Sequence, residues 1–403
     1  VKFAITTQPQ WLVQMRNKYS LECDLQSWPT KKVELWRRTQ MESLPVDEFQ
    51  THFEHLEISD YEKDSSYSAV VLIEDSRKVK IWSGSEKITI RNLEDQDEEN
   101  FKNHLFQNPD RFLSDHLARM DFTLIIEIDE NAVLDKPILV HWNASSNPME
   151  KTMYRPRILF KARRLSEVHA VVRWDSSDTV FINGGTSAFI GESANFTLTE
   201  IQALSQTSYQ VDHSLSVQER NSVFNYNLVS IGTATAKTQW DASLIGEGAE
   251  IKAQGIFVCK GKQHKDLRLV LNHKAPRGKS NSLFKGAVRD RGRTIFQGLI
   301  EVTPEGKGTD AYLSIKNLIL NDGARADSLP QLKIDHNDLK CTHGSTTGKV
   351  DEEQLHYLQS RGFSPSESKV LITMGLFQGI IDSLPTQFRI PVESTLEQLL
   401  REG

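Results

Sequence analysis

Between Asp335 and Gly344 the chain gathers His336, Cys341 and His343, with Asp335 and Asp338 beside them. Thiolate and imidazole both suit iron and zinc, so these residues form a candidate soft-metal or thiol site. In an extended segment Cys341 and His343 project from one face, because side chains two apart share a side of a strand, with Cα atoms about 6.5–7 Å apart. Rotamers can then bring a sulfur and an imidazole nitrogen to one ligand. The spacing matches no zinc knuckle. The competing reading makes Cys341 a small inert hydrophobe and the histidines satisfied by backbone. A second polar group, Gln263, His264, Asp266 and His273 in GKQHKDLRLVLNHKAP, reads as ladders on adjoining strands, and Cys259 in GIFVCKG reads as core. Gly184-Gly185-Thr186-Ser187 lacks the lysine and following helix of a phosphate loop and reads as a turn. GxxxxGK[ST], HExxH and GxSxG are all missing, so the sequence supplies no ATP site in this chain and no hydrolase or metalloprotease signature.

The elements that must position these residues follow from periodicity. The stretch Asp322 to Gly348 joins two architectures: strand before it, helix after it. Within it Leu332 and Ile334 alternate with Lys333 and Asp335, the pattern of a half-buried strand, and Gly348 is placed to close a turn before a helix. From Phe122 to Ile334 runs such as NFTLTEIQAL, YQVDHSLSV, TQWDASLIG and DLRLVLNHKAP each last one strand and end at Gly, Asn, Asp or Pro. A sandwich is one solution, with Asn183-Gly184 as a hairpin signal. The near-constant interval, with Asn, Ser and Thr at inward positions, favours a parallel β-helix whose rungs stack into one core.

Helical punctuation is clearest after Gly348. Asp351 caps VDEEQLHYLQSRG, which Gly362 ends; Ser364-Pro365-Ser366-Glu367 is a capping box opening the next helix; VESTLEQLL is a third. Near the start, Trp11, Leu12, Met15, Tyr19 and Leu21 are spaced for a helix, and Trp36 reads as an aromatic anchor. Residues 46–66 look irregular, SAVVLIEDSRKVKIWSG and EKITIRNL suggest a pair of strands, and Phe101, Leu105, Phe112, Leu113 and Leu117 mark another helix. The expected fold class is mainly β, with a mixed helical region at 1–120, a β-helix core at 121–348 and a helical domain at 349–403.

Bulk numbers narrow the classes. A chain of 403 residues, 38% hydrophobic and 25% charged, builds an ordinary globular core. Its net charge of -6 argues against a nucleic-acid partner, and Lys161 to Arg164 reads as a solvated face. Three scattered cysteines, Cys23, Cys259 and Cys341, argue for a reducing compartment. No apolar run is long enough to cross a membrane and no leader pattern is visible, so the expected location is cytoplasmic, or a plastid stroma. A β-helix fold also hosts carbohydrate-active enzymes, for which Asp175 and Asp178, or Asp335 and Asp338, are the carboxylates to nominate; their setting beside turns reads instead as solvated loop.

Three phrases in order, SNSLFKGAVRDRGRTIFQGLIEV, TDAYLSIKNLILNDGARADSLPQLKI and KCTHGSTTGKVDEEQLHYLQSRGFS, resemble the SufB/SufD family, scaffold subunits of the SUF iron–sulfur cluster assembly machinery. The likeness runs from about Gly261 to Phe363. Within the family the chain looks like the SufD branch: Ala324 stands where B-type chains carry a cluster-associated cysteine, and Thr342-His343-Gly344 replaces their acidic phrase. The resemblance implies a right-handed parallel β-helix between N-terminal and C-terminal helical domains. It implies pairing with SufB through the β-helix, or a SufD homodimer, and docking of the ATPase SufC on the C-terminal helices, for which Leu355, Tyr357, Leu358, Val370, Leu371, Met374 and Phe377 are the candidates. It further implies a non-enzymatic scaffold in which His343, as metal ligand, and Cys341 hold a nascent iron–sulfur cluster or iron shared transiently with SufB.

Overall fold

The computed structural model describes residues 9–39, 44–51, 57–74, 78–103, 109–146 and 151–401. From Phe122 onward each turn of chain gives one strand to each of two sheets. One sheet stacks, in order, Ile138–Ala144, Glu167–Ser176, Asn195–Ala203, Val223–Ser230, Glu250–Cys259, Lys279–Val288, Asp310–Ile319 and Lys340–Lys349. The other stacks Phe122–Ile128, Pro156–Ala162, Val180–Ile190, Tyr209–Gln218, Thr235–Leu244, His264–His273, Arg293–Val302 and Arg325–Ile334. All these neighbours pair in parallel, giving the expected β-helix, of about seven turns.

Alternation decides which side chains enter the lumen. In Asn195–Ala203, Phe196 and Leu198 point inward while Ile201 points out. Inward rings form a ladder, with Phe160–Phe196, Phe196–Phe224 and Phe224–Trp240 centroids 5.5, 5.7 and 5.9 Å apart. One corner repeats a single device: Leu165, Ser193, Asn221, Gly248, Arg277 and Gly308 adopt positive φ. Each of their N–H groups donates to a carbonyl one turn further on, those of Glu192, Arg220, Glu247, Pro276, Lys307 and Asp338. The backbone conformation repeats while the residue type does not, which is why the rungs carry no crisp motif.

Asn183-Gly184 is not a hairpin, and Gly184 to Ser187 is not a turn: all lie inside strand Val180–Ile190. Glycine is required at 185 by close approach, since a Cβ there would stand 2.3 Å from the His213 carbonyl oxygen.

The N-terminal helix α1 (Gln10–Leu25) buries Trp11, Leu12, Met15 and Tyr19, whereas Leu21 is 67% exposed and off that face. Helices α2 (Glu98–Asn103) and α3 (Arg111–Arg119) follow. Phe101, Phe112, Leu113 and Leu117 are buried, and Leu105 lies outside the described residues. Trp36 is an anchor indeed: fully buried, it stacks on Phe112 at 4.8 Å and donates Nε1–H to Asp110 at 2.7 Å. The stretch 46–66 holds a short strand, Glu57–Asp60. The phrases expected to give two strands give three. Ala69–Glu74 and Lys78–Ser83 form an antiparallel hairpin that extends the first sheet, and Ile88–Arg91 extends the second.

At the other end, α4 (Glu352–Gln359) is capped by Asp351, and α5 (Pro365–Ile381) opens on the reciprocal Ser364–Glu367 capping box. Gly362 between them takes φ of 94°. Helix α6 (Thr386–Arg401) begins ahead of Pro391 rather than after it. Burial of Phe388 with Val392 and Leu396 on one face offsets a proline cost of about 3 kcal/mol. Helices α5 and α6 cover the outer face of the first sheet: Val370, Phe377, Ile380 and Leu396 pack on Val171, Ile201, Val229, Ile256 and Val258. Among the described residues no helix is long and apolar enough to cross a membrane.

The open end of the β-helix as candidate functional site

Arg325–Ile334 and Lys340–Lys349 are the last strands of the two sheets, so among the described residues each leaves one edge of its backbone ladder without a strand beside it. In register Ala311 faces Cys341, Leu313 faces His343, Ile315 faces Ser345 and Asn317 faces Thr347. Ala311, Leu313 and Ile315 belong to the lumen core, so Cys341 and His343 lie together on the lumenal face of the final rung. Cys341 is half-buried and packs on that core; His343 is exposed, because no further turn covers it. Burial, and then the nearby Asp310 charge, push the Cys341 thiol up. In this chain alone the sulfur is therefore a neutral thiol rather than a ready thiolate.

Asn317 braces the opening. Its buried amide donates to Ser328 Oγ in one terminal strand at 2.9 Å and to Thr347 Oγ1 in the other at 3.3 Å. Sequence reasoning missed Asn317, Ser345 and Thr347; the period-two continuation of CTHGSTTG past His343 was the signal for the last two. Leu332 and Ile334, expected half-buried, are 37% and 40% exposed, since a terminal rung has nothing stacked on it. Gly344 and Gly348 sit within the final strand and close no turn.

The wider group around His336 does not converge. His336 lies in the loop between the terminal strands, where its Nδ1 accepts the Asp338 N–H at 2.9 Å. Among the described residues no three His, Cys, Asp or Glu side chains are grouped to hold a metal ion.

The second polar group occupies one strand and its preceding turn, not adjoining strands. Asp266 faces outward beneath the N-terminal region, accepting from Thr39 at 2.6 Å, Lys237 at 2.9 Å and Gln297 at 2.8 Å. Burial works against its charge, yet these partners hold its carboxyl below the ordinary value. His264 and His273 are pushed down to about 4 by burial, and the Cys259 thiol up to about 11, so Cys259 is core as expected.

Asp175 is not a solvated loop carboxylate: it accepts from His141 Nε2 at 2.7 Å and from Arg173, which outweigh burial and lower it. Asp335 and Asp338 are exposed. In the Lys161 to Arg164 run, Arg163 and Arg164 are exposed, as expected of a solvated face, and pair there with Glu127 and Glu130, while Lys161 is half-buried against Asp97.

Of the apolar residues considered for docking, Val370 and Phe377 are buried against the β-helix and offer no surface. Met374 is partly buried on the same cluster, Leu355 and Leu358 are half-buried, and Tyr357 and Leu371 are 56% and 42% exposed. Phe363, also 42% exposed, joins this surface and was not foreseen.

Comparison with known proteins identifies the family. The family described as SUF system FeS cluster assembly, SufBD core domain, matches residues 143–376. Over 173 residues the chain is 32% identical to an iron-sulfur cluster assembly SufBD family protein of Mycobacterium leprae, a match covering 41% of this chain and 44% of that protein. It is 30% identical over 172 residues to the iron-sulfur cluster assembly protein SufD of Escherichia coli, covering 43% of this chain and 40% of that one. A SufBD family protein of Synechocystis is 24% identical over 309 residues, 73% of this chain and 68% of the other. The chain thus spans less than half the length of the first two relatives.

Proposed function

This chain belongs to the SufBD family of the SUF iron–sulfur cluster assembly system, and from that membership we propose that it is the SufD-like scaffold subunit, paired with SufB through its β-helix and docked to SufC through its C-terminal helices. The observation that carries the reading is the exposed, lumen-facing His343 on a strand whose outer edge is open. A partner strand continuing that ladder satisfies the free N–H and C=O groups and brings its own side chains to within reach of His343. Another copy of this chain uses the same edge in a homodimer.

Iron, or a nascent cluster, is cargo here. A neutral imidazole nitrogen ligates iron, thiolates come from SufB, and Cys341 becomes a second ligand from this chain once it gives up its proton. The exposed Tyr357, Phe363 and Leu371, with Leu355, Leu358 and Met374 beside them, make the SufC-facing surface. Val370 and Phe377 instead fasten α5 to the first sheet, so a pull on the helices is transmitted to the strands that end at His343. ATP hydrolysis belongs to SufC, this chain acts as scaffold rather than catalyst, and the assembly works in the cytoplasm or a plastid stroma.

The test is His343→Ala in the co-expressed three-protein assembly, with iron and acid-labile sulfide measured on the purified complex. Loss of both from an intact complex is expected. Normal cluster content in an intact complex overturns the ligand role.

A further inference from the structure

Independently of the open end, the lumen holds an isolated cation. Lys265 alternates with Leu267, Leu269 and Leu271 and enters the lumen with them. It is 4% exposed, and its ammonium donates to Ser230 Oγ at 3.0 Å and to the Gly232 carbonyl at 2.8 Å. An ammonium has three N–H groups, so one remains. Among the described residues no carboxylate pairs with it: the Asp266 side chain is committed to Thr39, Lys237 and Gln297 on the other side of the sheet. The ionisable side chain that acts on its charge is Cys259, whose thiol burial pushes up to about 11.

Lys265 also lines a cavity of about 10 Å³, together with Gln202, Ser230, Thr238 and Asp266 and apolar side chains that include Phe257 and Leu267. That volume admits one small occupant. A buried charge without a counter-charge is strongly disfavoured, and besides Asp266, whose carboxylate is turned to Thr39, Lys237 and Gln297, the polar lining offers an ammonium, two hydroxyls and an amide.

We propose that this cavity binds a compact monovalent anion of halide size, held by the Lys265 ammonium inside the β-helix. The ion supplies the counter-charge that no side chain among the described residues provides. It leaves when the ammonium loses its proton, which burial brings down to about pH 8.

The probe is bromide. Crystals of the full chain grown in sodium bromide at about pH 6.5 and about pH 9.5 are compared by bromine anomalous scattering, a range over which the protonated fraction of such a lysine falls about tenfold or more. The expected result is a peak within hydrogen-bond reach of Lys265 Nζ at the lower pH that fades correspondingly at the higher. No peak in the cavity at the lower pH, or one of equal strength at both, overturns the site. In solution, the melting temperature at fixed ionic strength should be higher in bromide than in gluconate for the parent chain, and Lys265→Met should remove the difference. A difference that survives the substitution counts against the proposal, and if that variant does not fold, the paired crystals of the parent chain decide.

Discussion

Leu313 and His343 stand opposite one another across the last ladder of their sheet, on the same lumenal face, one 1% exposed and the other open to solvent. Position along the axis, not direction of the side chain, makes the difference. Leu313→Ala should therefore cost about 2–5 kcal/mol, whereas His343→Ala should change the stability of the isolated chain by no more than about 0.5 kcal/mol. Denaturant unfolding of both variants checks this. A large cost at 343 would mean that the imidazole does structural work in the monomer.

The open edges carry exposed Leu332 and Ile334. Lysine at strand edges opposes pairing with another chain. Leu332→Lys combined with Ile334→Lys should leave the isolated chain folded with little loss of stability and prevent association at this end, read as the mass of the assembly by light scattering. Undiminished assembly would put the interface elsewhere.

Phe377 is wholly buried between α5 and the β-helix, while Tyr357 on α4 is 56% exposed. Phe377→Ala should cost about 3–5 kcal/mol and raise amide exchange throughout α5 and α6. Tyr357→Ala should leave exchange in α5 and α6 unchanged and weaken binding of the ATPase subunit in a pull-down. If both variants bind that subunit normally, the docking surface is not here.

Two buried carboxyls inside the lumen, Glu200 and Asp212, are both raised by burial, and Asp212 further by Glu200. Thr186 and Tyr226 hydroxyls donate to Glu200 at 2.8 Å each, and Ser214 donates to Asp212. Because the folded chain keeps protons that the unfolded chain loses near pH 4, their contribution is complete below that pH and declines as pH rises toward the folded values, by about 1.4 kcal/mol per pH unit for each proton retained. Urea unfolding from about pH 4 to 8 should show the decline, and Asp212→Asn should lessen it. An identical slope in that variant would count against a retained proton on Asp212.

Much of this molecule was legible in one dimension. Period-two runs punctuated by Gly, Asn and Pro indicate strands wherever they fall, and in Asn195–Ala203 that local pattern alone separates Phe196 and Leu198 from Ile201. The caps at Asp351 and Ser364 are equally local, since each is a side chain meeting a backbone group within three residues. The pairing of Cys341 with His343 on one face was readable for the same reason.

What needed the folded chain is everything set by neighbours distant in sequence. Leu332 and Ile334 alternate just like core residues yet lie exposed, because burial in a β-helix depends on the turn stacked above and that turn does not follow. The pattern of Val370 and Phe377 fits intramolecular core and partner surface alike, and only the outer face of the first sheet, which receives them, makes them core. Gly184 to Ser187 looked like a turn because glycine signals chain reversal locally, while here it answers the close approach of His213 from the next strand. The residues determined the strands, their inward faces and their caps; the stacking of turns decided which of those faces remain open, and with them where His343 meets solvent.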